Sequence, residues 1–210
     1  MPWAVPLLLW LLAASAMADP LTAAETGFRA LDSYRATVRT VAADGERRVM
    51  RYFYRKPGWV RIEMLSPYRG AVLIYDPDAR RVRLWPFGTG HVLSLSLAPD
   101  NRLVRDPRGH RIDRSHVGAL LDNLQRLRAQ GHATPLGATE VDGRAAIGVE
   151  IAGEAGAHVD GVHRYRVWFA RDTHFPLRVE SFAADGRPIE TVDLSEVETG
   201  AVLPERLFQP

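Results

Sequence analysis

The chain has 210 residues, with 27 Lys or Arg against 25 Asp or Glu, and no cysteine. A formal charge of +2 spread along the sequence excludes an electrostatic nucleic-acid binder. The missing cysteines exclude a disulfide framework and any thiolate-bound metal, so stability has to come from packing one domain around its own core.

In chain order, Leu7 to Ala14 is almost wholly apolar but too short to span a bilayer comfortably. Ala16-Met17-Ala18 then gives the small-x-small pattern of a signal-peptidase site, although Met1 to Pro6 carries no Lys or Arg. The expectation is a signal peptide over 1–18 and a single mature domain over 19–210, exported to the periplasm. No cysteine stands at the junction to be lipidated. Thr22-Ala23-Ala24-Glu25 reads as a capping box opening a helix over 22–32, with Leu21, Ala24, Phe28 and Leu31 near helical spacing.

Strands follow. Tyr34, Ala36, Val38 and Thr40 alternate with arginines, Asp44-Gly45 turns the chain, and Arg47 to Arg55 returns with Met50, Tyr52 and Tyr54 on one face. After Lys56-Pro57-Gly58, the run from Trp59 to Met64 places Val60, Ile62 and Met64 inward and Arg61 and Glu63 outward. Gly70 to Tyr75 is apolar on both faces, as expected of a central strand covered on each side. Asp76-Pro77-Asp78 leads into Arg81 to Trp85, with Val82 and Leu84 alternating with Arg81 and Arg83. No helices alternate with these strands, so a doubly wound parallel sheet is excluded in favour of one continuous antiparallel sheet.

Pro86 to Ile112 breaks the regularity; Leu93, Leu95 and Leu97 alternate with serines as a short strand or a lid-like segment. A second helix, capped by Asp113 or Ser115 and closed by Gly131, carries the stripe Val117, Leu120, Leu121, Leu124 and Leu127. Strands resume over 139–142 and 145–151, with Ile147, Val149 and Ile151 on one face and Gly143 in the turn. A three-strand meander follows: Tyr165, Val167 and Phe169; then Leu177 and Val179 alternating with Arg178 and Glu180; then, past the Asp185-Gly186 turn, Ile189, Val192 and Leu194.

A search for catalytic chemistry returns no GxSxG elbow, glycine-rich phosphate loop or HExxH motif. His110, Asp113 and His116 are the nearest approach to a cluster, with a spacing that suits no known metal site. Ser115 and His116 are adjacent, and neighbours on a helix point about a hundred degrees apart. The expectation is a non-enzyme with no metal and no cofactor. Periodicity alone leaves two readings of the apolar sheet face, a filled core and a cavity for a greasy ligand.

Several stretches resemble the LolA-like superfamily of periplasmic lipoprotein carriers. They are Lys56-Pro57-Gly58-Trp59-Val60-Arg61-Ile62-Glu63, Leu73-Ile74-Tyr75-Asp76-Pro77, Tyr165-Arg166-Val167-Trp168-Phe169, Phe175-Pro176-Leu177-Arg178-Val179-Glu180 and Leu203-Pro204-Glu205-Arg206-Leu207-Phe208. The resemblance implies an α+β, mostly β fold: a curved antiparallel sheet forming an incomplete barrel covered by helices. It also implies a hydrophobic cavity for lipid or the acyl chains of lipoproteins, in a soluble monomeric carrier serving outer-membrane traffic. Inner- or outer-membrane transport components are the implied partners. Inward alternation and the resemblance together give the expected cavity lining: Val38, Met50, Tyr52, Val60, Ile62, Met64, Ile74, Leu84, Leu120, Leu124, Val149, Val167 and Phe169. Arg48, Arg51 and Arg55 stay open as ligand-contacting arginines. The alternative is a periplasmic sensor or protein-interaction module on the same fold.

Overall fold

In the computed structural model, residues 19–106 and 109–209 are described; the expected signal peptide lies outside them. The chain runs α1 (Pro20–Ala30), β1 (Ser33–Ala42), β2 (Arg47–Arg55), β3 (Trp59–Ser66), β4 (Val72–Asp76), β5 (Arg81–Trp85), β6 (Leu95–Leu97), α2 (Val117–Arg128), β7 (Gly131–Val141), β8 (Arg144–Gly153), β9 (Arg164–Ala170), β10 (Pro176–Phe182) and β11 (Pro188–Thr199). Single 3-10 turns stand at Ile112–Arg114 and Glu205–Leu207.

All eleven strands belong to one antiparallel sheet in the order β6-β5-β4-β3-β2-β1-β11-β10-β9-β8-β7. Within each half, neighbours in sequence are neighbours in space, and the halves join where β1 pairs with β11. The outer strands β6 and β7 do not meet, so this is the expected incomplete barrel. Tight hairpins set the registers. Asp142 and Gly143 both adopt positive φ, 48° and 75°, which matches the right-handed twist of β7 and β8.

The main core lies between the inner face of the sheet and the two helices. Val60, Leu124, Leu127, Ile151 and Val167 are at most 1 % exposed there. A second cluster covers the outer face: Trp59, Val72, Ile74 and Trp85, closed by Phe208 of the C-terminal segment. A third, also outside, gathers Val141, Ala146, Ala170 and Leu177. Strand β4 is covered on both faces as expected, with Leu73 and Tyr75 on the inner side and Val72 and Ile74 on the outer.

Several local expectations are corrected. Helix α1 starts earlier than 22: the Asp19 carboxylate caps it, accepting from Thr22 N at 3.3 Å and from Thr22 Oγ1 at 2.7 Å, and Pro20 opens the first turn. Neither Asp113 nor Ser115 caps α2; His116 does, its Nδ1 accepting from Ala119 N at 3.2 Å. Gly131 is not a helix cap but the first residue of β7, which begins well before residue 139. A Cβ there would stand 1.9 Å from the Ala152 carbonyl oxygen, so close approach of the backbones demands glycine.

One outward assignment holds but proves buried, and one pair of residues proves to lie on different faces. Arg61 points outward from the main core yet is buried, donating to Glu63 Oε1 at 2.8 Å and to the Leu207 carbonyl at 2.7 Å beneath the C-terminal segment. Leu177 does not share a face with Val179. A bulge between Pro176 and Arg178 inserts one residue, which sends Leu177 to the outer cluster and leaves Val179 in the main core.

Candidate functional site

The inner face of the sheet is the surface on which the expected binding positions collect, and the helices divide it into three zones. At one end α2 is fixed to the sheet by aromatic and hydroxyl contacts. Tyr34 Oη of β1 accepts from Val117 N at 3.1 Å, and Tyr52 Oη of β2 lies 2.8 Å from Ser115 Oγ, which in turn donates to the Ile112 carbonyl at 2.7 Å. The His116 ring stacks on Phe28 of α1, with centroids 6.2 Å apart, and lies 5.2 Å from the Tyr54 ring. Gly118 makes this junction possible, since a Cβ there would come within 2.4 Å of the Phe28 ring.

Burial governs the electrostatics of this zone. It pushes the phenols of Tyr34, Tyr52 and Tyr54 above their ordinary value, so all three serve as neutral hydrogen-bonding or packing groups. Farther along the sheet, burial raises the Tyr165 phenol to about 12. Burial, with the Arg114 charge behind it, lowers the pKa of His116, so the neutral imidazole is the form that caps α2.

The opposite end of the inner face is polar. Arg48, 9 % exposed, donates to Asp106 Oδ2 at 2.5 Å and to Glu46 Oε1 at 2.8 and 2.9 Å, tying the segment after β6 down on β2. Val104 and Ile112 of the same segment enter the main core. Between and beside these anchors lies a half-covered apolar flank: Met50, Ile62, Leu73, Tyr75, Leu84, Leu97 and Leu120 on one side, and Ile189, Val192, Leu194 and Val197 on the other.

Of the thirteen expected lining positions, Val38, Met50, Tyr52, Val60, Ile62, Leu84, Leu120, Leu124, Val149, Val167 and Phe169 come together in or against the main core. Met64 is buried on the same strand but outside that cluster. Ile74 is on the opposite face, packed with Trp59, Trp85 and Phe208, because alternation along β4 sends Leu73 inward instead. Sequence reasoning omitted Tyr34, Ile151, Tyr165 and Val179, which share the inner face; their strand alternation was the signal that places them there.

Of the three arginines left open, Arg48 is on the inner face and engaged with acids. Arg51 is exposed and paired to Glu63 at 3.8 Å, and Arg55 lies over Phe208 on the outer face. The His110, Asp113 and His116 trio is dispersed: His110 faces Glu190 at 3.8 Å, Asp113 pairs with Arg111, and His116 caps α2. Among the described residues no three His, Asp or Glu gather in a way that would hold a metal ion.

Solved structures share this fold. The chain aligns with an uncharacterised conserved protein of Thermus thermophilus at 12 % identity and a TM-score of 0.56, covering 91 % of each chain. Against the Pseudomonas aeruginosa MucA/MucB complex the identity is 18 % and the TM-score 0.58, covering 91 % of this chain and 60 % of that one. The Mycobacterium tuberculosis lipoprotein LppX gives 13 % identity and a TM-score of 0.53, covering 88 % of this chain and 95 % of that one. At such identities the likeness is one of fold. Comparison with curated proteins gives no match. The incomplete antiparallel barrel is the fold that the LolA-like motifs implied. The profile described as MucB/RseB N-terminal domain matches residues 96–210, more than half of the sequence, and the chain belongs to that family.

Proposed function

We propose that this protein is a periplasmic binding module whose inner sheet face receives the acyl chain of a lipid or lipoprotein. The observation that carries the reading is the half-covered flank, where Met50, Ile62, Leu84 and Leu120 remain incompletely buried beside a closed core. An acyl chain laid along this strip gains roughly 0.8 kcal/mol for each methylene removed from water. Because Leu124, Leu127 and Val60 already fill the space under α2, deeper entry requires the helices to move outward. Binding, rather than catalysis, is the role these residues support.

A second reading is a protein-interaction or sensor module on the same fold. What favours it is the filled helix–sheet interface, together with the family match and the fold likeness to a MucA/MucB complex. Displacement of a fluorescent fatty-acid probe, with native mass spectrometry of the purified protein, separates the two. The acyl reading expects saturable probe binding that Ile62→Glu weakens at least tenfold. A delipidated protein that takes up no probe would overturn it in favour of the interaction module.

A further inference from the structure

We infer that the loops at the β6 end of the sheet form a docking surface for a membrane containing anionic phospholipid. Six of the nine exposed large apolar side chains among the described residues lie between positions 68 and 103: Tyr68, Phe87, Val92, Leu93, Leu95 and Leu103. Val92 is fully exposed, and Tyr68, Phe87 and Leu103 are each 65 % exposed. The other three, Val41, Leu136 and Val202, are distant in sequence from this group and from one another.

Five of the six side chains belong to loops that converge, and Leu95 opens β6 beside them. Gly88 stands against the turn after β3, where a Cβ would meet the Gly70 carbonyl at 3.3 Å, so Phe87 and Tyr68 belong to neighbouring turns. Phe87 and His91 are in edge contact, with centroids 6.2 Å apart, which brings in the turn bearing Val92 and Leu93. Arg48 adjoins Val49, which pairs with Ser66 two residues before Tyr68, and Arg48 binds Asp106, next in sequence to Arg105 and three residues from Leu103. Exposed Arg69, Arg102 and Arg105 are interspersed with these tips. Across residues 66–71 and 86–105 the only acid is Asp100.

Charge chooses the occupant. Arginine occurs in protein interfaces too, so what decides is the near absence of acids and the setting of the tips. Here guanidinium groups stand among exposed apolar side chains carried on separate turns. That arrangement matches an interface in which apolar tips enter the boundary of the acyl region while arginines meet lipid phosphates. Docking in this way would turn Leu84 of β5 and Leu97 of β6, both in the half-covered flank, toward the bilayer surface. The inference does not depend on what occupies the inner face.

The test is co-sedimentation of the full chain with phosphatidylcholine vesicles, with and without phosphatidylglycerol, at low and high salt. The parent should partition onto the anionic vesicles and leave them as salt rises. Val92→Ser combined with Leu93→Ser should lower the partition coefficient more than tenfold, and Arg69→Gln or Arg102→Gln about five-fold each. All four side chains are exposed, so thermal melting should match the parent. Equal binding to neutral and anionic vesicles, no binding to either, or variants that bind like the parent would overturn the inference. So would light scattering that shows a parent dimer split by the Val92 and Leu93 changes, which would assign the patch to a second copy of the chain.

Discussion

Acidification should loosen α2 from the sheet through His116, and the structure sets both the sign and the size of the effect. The neutral ring accepts the Ala119 N–H at the start of the helix, stacks on Phe28 and meets the Tyr54 ring at a tilt. Its pKa in the fold is lowered below the ordinary 6.5 by burial and by Arg114. The groups facing it are Arg114 and Asp113 on the preceding turn and the neutral phenol of Tyr54 on β2. The unfolded chain therefore binds the proton more tightly than the folded one. His116 leaves stability intact above the unfolded pKa, and stability falls as pH drops from there through the lowered folded value. Protonation removes the cap acceptor, worth about 0.5–2 kcal/mol. It also places a cation at the positive end of the helix, worth about 0.3–1 kcal/mol. The expected loss on going from pH 7.5 to below the folded pKa is thus about 1–3 kcal/mol. Asparagine caps helices well and does not titrate, so His116→Asn should abolish this part of the pH dependence. At neutral pH it should cost about 0.5–1.5 kcal/mol for the lost ring contacts. Urea unfolding of parent and variant across this range isolates His116, because every other titrating group is common to both. Parallel stability–pH curves for the two proteins would refute the reasoning.

Leu124→Ala removes a side chain with no exposed surface from the centre of the helix–sheet core, and should cost about 2–5 kcal/mol in urea unfolding. Gly131→Ala forces a Cβ against the Ala152 carbonyl and should cost about 1–3 kcal/mol, with faster amide exchange where β7 meets β8. Asp19→Ala removes the α1 cap and its 2.5 Å contact with Arg128 of α2; a loss of about 0.5–2 kcal/mol should appear in thermal melting. Exhaustive dialysis against a chelator should leave the melting temperature unchanged; a fall restored by one divalent ion would expose a metal role for the dispersed histidines.

Most of the sheet was legible in the sequence because a strand with unlike faces records its orientation every second residue. Tyr34 to Thr40, Met50 to Tyr54 and Tyr165 to Phe169 face inward as their alternation predicts. Asp142-Gly143 and Asp185-Gly186 mark turns because aspartate and glycine accept backbone conformations that other residues resist. The α2 stripe likewise encodes which side of the helix meets the sheet. What local pattern does not carry was left to the tertiary structure. One inserted residue at the β10 bulge reverses Leu177 relative to Val179, and alternation cannot signal an insertion made only when β9 pairs with β10. Strand β4 is apolar on both sides, so its composition does not say which residues face inward; the pairing of Tyr75 with Val60 turns Tyr75 and Leu73 inward and Ile74 outward, where Phe208 from the chain's far end covers it. Arg61 reads as a solvated charge until that same segment covers it and supplies the Leu207 carbonyl. The sequence also left open whether the inner face was empty or filled. Periodicity reports which way side chains point, whereas filling depends on how closely α1 and α2 approach the sheet. That distance is set where Phe28 meets Gly118 and where the hydroxyls of Tyr34 and Tyr52 hold the start of α2.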